Sequence, residues 1–254
     1  MFTVNINKNN SLKELQTLVE QNSNRTLSYM PDSFNEQQRV AIELFKKRIF
    51  LEQIIDEAIT FNRNLNFPNE NKNLHLATTA EDLIDVFKLR SDVYTGINYQ
   101  SEFPDIIEGI NFDTYDSNSA ILFYKSNKEI TGTIRLISDS QKKLPSEDKF
   151  SFESERKNNA VIAELSRLIV SKNKNSLNLE FKNLTQGIYY LAESNNVNLI
   201  LSGIKEEHFK LYSKFGGISI EKKLGNYGTF TIPCLILSWD PSQISPFFKK
   251  AFLR

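Results

Sequence analysis

Four charged side chains stand inside apolar runs of this chain, and any fold that buries those runs must bury and pair the charges as well. Arg90 falls on the stripe Leu83, Val86, Phe87 and Tyr94, at the three- and four-residue spacing of one helix face, so a helix that turns those residues inward carries the guanidinium with them. Arg135 sits in residues 129–137, Glu-Ile-Thr-Gly-Thr-Ile-Arg-Leu-Ile, where Gly132 allows a backbone or ligand to come close. Glu164 and Arg167 share the strand-like run Ala-Val-Ile-Ala-Glu-Leu-Ser-Arg-Leu-Ile-Val over residues 160–170. A two-residue period places Glu164 and Ser166 on one face and Arg167 on the other, unless a bulge intervenes. Removing one member of a buried ion pair costs about 3–5 kcal/mol, so these charges demand partners. Two arrangements satisfy that demand: an ion-pair network that locks the sheet, or a catalytic carboxylate held by arginines, since buried ionisable clusters are frequent where a pKa is tuned. Glu108, Asp113 and Asp116 form an acidic loop that is either solvated or paired with the arginines.

The surrounding pattern alternates. A helix is predicted over residues 12–21 and a longer one over 33–62, with an apolar stripe through Val40, Leu44, Leu51, Ile54, Ile55, Ala58 and Phe61. Residues 62–73 are rich in asparagine and read as a linker, which divides the chain into a helical extension and linker, 1–73, and a main domain, 74–254. From residue 74 the expected order is strand 74–77, a helix opened by Thr79 with Asp82 three residues on, strands 120–125 and 129–138 joined by a tight Ser126-Asn127-Lys128 hairpin, and strand 160–170. Helix 179–193, strand 197–202, helix 206–215 and strands 217–222 and 229–239 follow. Mixed runs of this kind imply an α/β sheet with helices on its faces.

Composition narrows the function. Thirty-one basic residues balance thirty-one acidic ones, which argues against a dedicated nucleic-acid binder. One cysteine, Cys234, and two histidines, His75 and His208, exclude a disulfide framework and leave no spacing for a zinc site. The EF-hand spacing of a calcium loop is missing too, as are the common phosphate-loop and hydrolase motifs. No metal is expected. The polar start and the absence of a long apolar run predict a cytoplasmic protein without a membrane span.

The sequence Leu89-Arg90 with Tyr94, then Phe112-Asp113, then residues 132–136 (Gly-Thr-Ile-Arg-Leu), then residues 164–167 (Glu-Leu-Ser-Arg) resembles, in order and spacing, the acyl-homoserine lactone synthases and the related N-acyl amino acid synthases. The resemblance spans about residues 74–238 and implies a GNAT-like fold, a mixed central sheet flanked by helices. It departs from the lactone synthases where they carry a further acidic residue three positions before the one matched to Asp113, because this chain has Ile110 there. The aromatic usually found about ten residues after the arginine is only loosely met by Tyr99. It therefore leans toward N-acyl amino acid synthases.

What the resemblance implies is transfer of a fatty acyl group from acyl carrier protein to the α-amine of an amino acid. The donor is then the carrier's acyl-phosphopantetheine, and no cofactor is bound. Glu164 would act as general base and Tyr212 as the acid that protonates the departing thiolate, although Tyr212 lies near Phe209 and Phe215 and also reads as packing. Arg90, Tyr94, Asp113, Arg135, Ser166 and Arg167 would bind substrate, with the charged groups holding Glu164. Residues 171–178 contain no glycine to cradle a CoA pyrophosphate, which favours the carrier protein; Lys172, Lys174 and Lys182 would greet that acidic partner. An autoinducer synthase using S-adenosylmethionine and a GNAT-fold binding protein without chemistry stand as the competing readings.

Overall fold

A computed structural model describes residues 35–140, 142–171, 179–226, 228 and 232–253. The helix expected over residues 12–21, as well as Lys172 and Lys174, lies outside them. The chain divides into a first unit, up to Leu51, and a second, compact unit from Glu52 onward.

Helix α1 (Glu36–Arg63) runs from the first unit into the second. It starts at Glu36 because Asn35 caps it: the Asn35 carboxamide oxygen accepts from the Gln38 N–H at 2.9 Å, and the Gln38 side chain accepts from the Asn35 N–H at the same distance. Of the expected stripe, Val40 and Leu44 are about half exposed, and burial begins at Leu51 and continues through Ile54, Ile55 and Ala58. Asn62 joins this helix to the sheet, donating to the Ser119 carbonyl and accepting from the Ile121 N–H.

In the second unit, strand β1 (Leu74–Leu76) leads to helix α2 (Ala80–Gly96). Thr79 caps that helix by accepting from the Asp82 N–H at 3.2 Å, and its buried face is the expected one, Arg90 included. Strands β2 (Ser119–Ser126) and β3 (Glu129–Ser138) meet at a two-residue turn, Asn127 and Lys128, both with positive φ, as a tight hairpin requires. After the short helix α3 (Glu153–Lys157) come β4 (Ile162–Val170), α4 (Leu179–Ser194) and β5 (Leu199–Lys205). The helix expected over 206–215 is instead a 3₁₀ turn, Glu206–His208, and the four-residue α5 (Phe209–Tyr212). Strands β6 (Ile218–Leu224) and β7 (Cys234–Trp239) follow, the latter starting only after Pro233, which has no N–H for a ladder. The chain then forms α6 (Pro246–Phe252), a helix the pattern reading misses although Ser245 caps it and Pro246 occupies its first position.

The seven strands are ordered β1-β2-β3-β4-β5-β7-β6. Every neighbouring pair is antiparallel except β4 with β5, and this parallel pairing stops at Leu165 opposite Ser202. Beyond that point β4 stays with β3 as far as Val170, while β5 stays with β7 as far as Lys205. The two strands part company in mid-sheet and leave a cleft between their C-terminal halves. One face of the sheet packs Leu122, Ile134 and Leu136 against Leu184, Ile188 and Leu191 of α4, extended by Phe215, Trp239, Phe248 and Phe252. Gly187 permits that approach, since a Cβ there would meet side-chain carbons of Leu74 and Leu122 at 2.8 Å. On the other face Ile137, Ile162, Leu201 and Ile236 pack with Leu144 and Phe152.

Candidate active site

The cleft has a volume of about 980 Å³, at the upper end of the ~300–1,000 Å³ of small-molecule sites. Glu164, Ser166, Arg167, Arg135, Asp113, Tyr94 and Tyr212 all line it. Arg90 does not; it lies beneath, fully buried.

A bulge decides which side chains meet there. Arg135 stands opposite Ser166 and Thr133 opposite Ile169, so the single residue Ile134 faces two, Arg167 and Leu168. Arg167 takes up the extra length with φ of 56°, a left-handed conformation uncommon for a side chain other than glycine. Simple alternation would send Arg167 to the far face. The bulge instead puts Ser166 and Arg167 together on the Arg135 face, while Leu165 and Leu168 point into the core on the other.

Three arginines converge on two aspartates. Arg90 pairs with Asp116 at 2.8 Å, Arg135 with Asp113 at 2.7 Å and Asp116 at 3.0 Å, and Arg167 with Asp113 at 2.8 Å. The Nε of Arg135 also donates to the Ser166 hydroxyl at 2.9 Å. The acidic loop holds itself in register, because the Asp113 N–H donates to Asp116 and the Tyr115 N–H donates to Asp113. Glu108 stays exposed. The resemblance left Asp113 without an acidic companion, Ile110 being three residues before it; the structure supplies one three residues after, Asp116. Burial alone would raise the Asp113 pKa, but Arg135 and Arg167 outweigh it and hold the carboxyl well below the ordinary range. Burial lowers that of Arg90, whose Nε and Nη2 find no hydrogen-bond partner among the described residues. Three cations against two anions leave one positive charge in excess.

The expectation that the arginines hold Glu164 is corrected. Their ion pairs go to Asp113 and Asp116, and Glu164 is held by neutral donors: the N–H and hydroxyl of Ser146 reach its Oε2 at 2.9 and 2.8 Å. Burial raises the Glu164 pKa, with the Ser146 donors and the nearby Arg135 offsetting part of the rise. Such a carboxylate is a stronger base than an exposed one and still exchanges its proton.

Tyr94 and Phe103 flank Arg167, their ring centroids 5.6 and 4.2 Å from its guanidinium carbon, and so hold it by cation–π contact. Tyr212 sits across the cleft on α5, its ring 5.3 Å from Phe215, and burial pushes its phenol up to about 12. The mouth also carries Lys205, which donates to the Tyr99 hydroxyl, with a pKa raised by that bond. Sequence reading missed Ser146, Phe103 and Lys205, and no local pattern marks them. An apolar wall of Leu165, Leu168, Ile169, Val170 and Phe181 completes the cleft. Among the described residues no group of His, Cys, Asp and Glu is placed to share a metal ion, and no helix is long and apolar enough to cross a membrane.

With this geometry in place, comparison with known proteins is informative. The family model of the N-acyl amino acid synthase FeeM matches residues 85–240. The structure of FeeM itself, an N-acyl amino acid synthase from uncultured soil microbes, aligns with a TM-score of 0.54 at 16% identity, covering 68% of this chain and 100% of that one. The acyl-homoserine lactone synthase LasI aligns with 0.54 at 13% identity, over 70% and 93% of the two chains. BjaI, a CoA-dependent acyl-homoserine lactone synthase solved with S-adenosylmethionine and isopentyl-CoA, aligns with 0.50 at 16% identity, over 68% and 81%. No curated protein sequence matches. The GNAT-like architecture expected from the sequence is the one these structures share.

Proposed function

This chain belongs to the FeeM family of N-acyl amino acid synthases and is an N-acyltransferase, and on that footing we propose that it moves a fatty acyl group from the phosphopantetheine of acyl carrier protein to the α-amine of an amino acid. The observation that carries the mechanism is Glu164, a buried carboxylate in the cleft wall with neutral donors on one oxygen and, among the described residues, no direct cation. Glu164 takes a proton from the acceptor's ammonium, and the freed nitrogen attacks the thioester carbon. The C–N bond forms as the C–S bond breaks, and the second proton of the nitrogen passes to the departing sulfur, delivered by Tyr212. A phenol that stays protonated to about pH 12 is a donor throughout the working range.

The excess positive charge of the arginine cluster suits the acceptor's carboxylate, and the apolar wall suits the acyl tail. A glycine-free stretch over 171–178 supports a donor without a pyrophosphate, and Lys182 suits the acidic carrier. The test is release of free thiol from acylated carrier protein, and separately from acyl-CoA, with a panel of amino acids, the products identified by mass spectrometry. An N-acyl amino acid formed from the carrier-linked donor is expected. No thiol release with either donor and any amine would leave a binding protein.

One observation favours a second reading. The Asp113–Asp116 pair removes the acidic departure that separated this chain from the lactone synthases. Acyl-homoserine lactone formed only when S-adenosylmethionine is supplied would select that reading.

A further inference from the structure

The donors on Glu164 come from a turn that is itself clamped from behind. Ser146, buried, sits on the 3₁₀ turn Pro145–Asp148. Its neighbour Glu147 is gripped by Arg156 of α3 through two parallel bonds, Nη1 to Oε1 at 2.6 Å and Nη2 to Oε2 at 2.5 Å. The same guanidinium reaches Asp139, at the end of β3, through Nε at 2.6 Å and Nη2 at 2.8 Å. Asp139 is fixed in turn to β4, since its N–H donates to the Ile162 carbonyl at 3.1 Å. The loop closes on the strand that carries Glu164: β4 holds Asp139, Asp139 and Arg156 hold Glu147, and the turn holds Ser146 against Glu164. Double bidentate geometry fixes a guanidinium plane as a lysine ammonium could not. Both Ser146 donors engage Oε2, and among the described residues no donor reaches Oε1.

We propose that Ser146 is a positioning residue that favours the ionised form of Glu164 and leaves its Oε1 for the acceptor amine, and that the Arg156 clamp keeps Ser146 in place. This rests on the reading of Glu164 as general base. The titratable and charged groups facing Glu164 are Arg135 from β3, Glu147 from the turn and Tyr115 from the loop before β2; its neighbour on β5, Leu201, carries no charge. Arg135 favours ionisation and Glu147 opposes it, so both remain constant when only the Ser146 hydroxyl is removed.

The experiment is the pH profile of kcat/KM for acyl transfer, with melting temperature measured alongside. Ser146→Ala deletes one of two hydrogen bonds to the charged form, so the acid limb should move about one pH unit higher, with the high-pH plateau largely regained. Ser146→Thr keeps the hydroxyl and should restore the limb. Arg156→Gln touches nothing in the cleft, yet should move the limb in the same direction as Ser146→Ala. A limb unmoved in both Ser146→Ala and Arg156→Gln overturns the proposal, and if Ser146→Ala does not fold, Arg156→Gln, on the surface helix α3, decides it alone. Glu164→Gln separates the two ideas: full activity with an intact limb in that variant overturns the base reading itself, whereas loss of activity there with no limb shift in the others overturns only the role of Ser146.

Discussion

Asp113 and Glu164 line the same cleft and are surrounded in opposite ways. Asp113 takes ion pairs from Arg135 and Arg167 and a backbone N–H from Tyr115, so its charge is fixed. Glu164, more deeply buried, receives among the described residues only the hydroxyl and amide of Ser146. Direct cations make a carboxylate a permanent anion and a structural anchor, whereas neutral donors keep it ionisable and available to carry a proton. Two acidic groups of one cleft thus have opposite electrostatic settings, and on the proposed mechanism it is the environment rather than the residue type that separates anchor from base.

The contrast breaks most severely at Asp116. Fully buried, it is the single ion-pair partner of Arg90 among the described residues, and Asp116→Ala strands that guanidinium in the core. A loss of about 3–5 kcal/mol is expected in urea unfolding. A loss under 1 kcal/mol would mean that the cluster is solvated rather than buried. Arg135→Lys comes next, because a lysine cannot span Asp113, Asp116 and Ser166 together; about 1.5–3 kcal/mol of stability should go with the charged hydrogen bonds, along with most of the turnover. Arg167→Lys, at the partly exposed edge of the cluster, should melt nearly as wild type while turning over slowly, since the stacking by Phe103 and Tyr94 is lost. If both lysine variants keep melting temperature and rate, the pairing scheme is wrong.

How far all this was legible in the sequence depends on the distance over which each constraint acts. The inward-facing Arg90 is set by helical spacing on one element, and the Thr79 cap by three neighbouring residues; both are visible in the sequence and both occur. The face of Arg167 depends on how β4 pairs with β3, which no local pattern records, and simple alternation gives the opposite side. The same holds for Ser146, whose link to Glu164 crosses 18 residues and depends on a clamp made by a third segment. A motif of fixed offsets puts the acidic companion of Asp113 three residues before it, whereas the loop turns so that Asp116, three residues after it, accepts from its N–H. The short α5 falls where a continuous helix was expected, yet it still delivers Tyr212 to the cleft.

The smallest effect should come from Tyr212→Phe, which keeps the ring against Phe215 and removes only the hydroxyl. A thiol is acidic enough to leave with little help, so turnover should fall by less than the ~10²–10⁴-fold typical of an essential acid or base, with the melting temperature unchanged. Unchanged turnover would leave Tyr212 as packing alone. Because its phenol stays protonated to about pH 12, Tyr212 should impose no alkaline limb below that value.

Glu164→Gln, assayed for acyl transfer across the pH range beside the wild type, tests the central claim most directly. In the proposed mechanism ionised Glu164 is the active form, and burial raises its pKa, so wild-type activity should climb with pH through a limb above the ordinary carboxylate value. The glutamine variant should melt as the wild type does and lose about 10²–10⁴-fold in turnover, together with that limb. Wild-type turnover and an intact limb in Glu164→Gln would contradict the account.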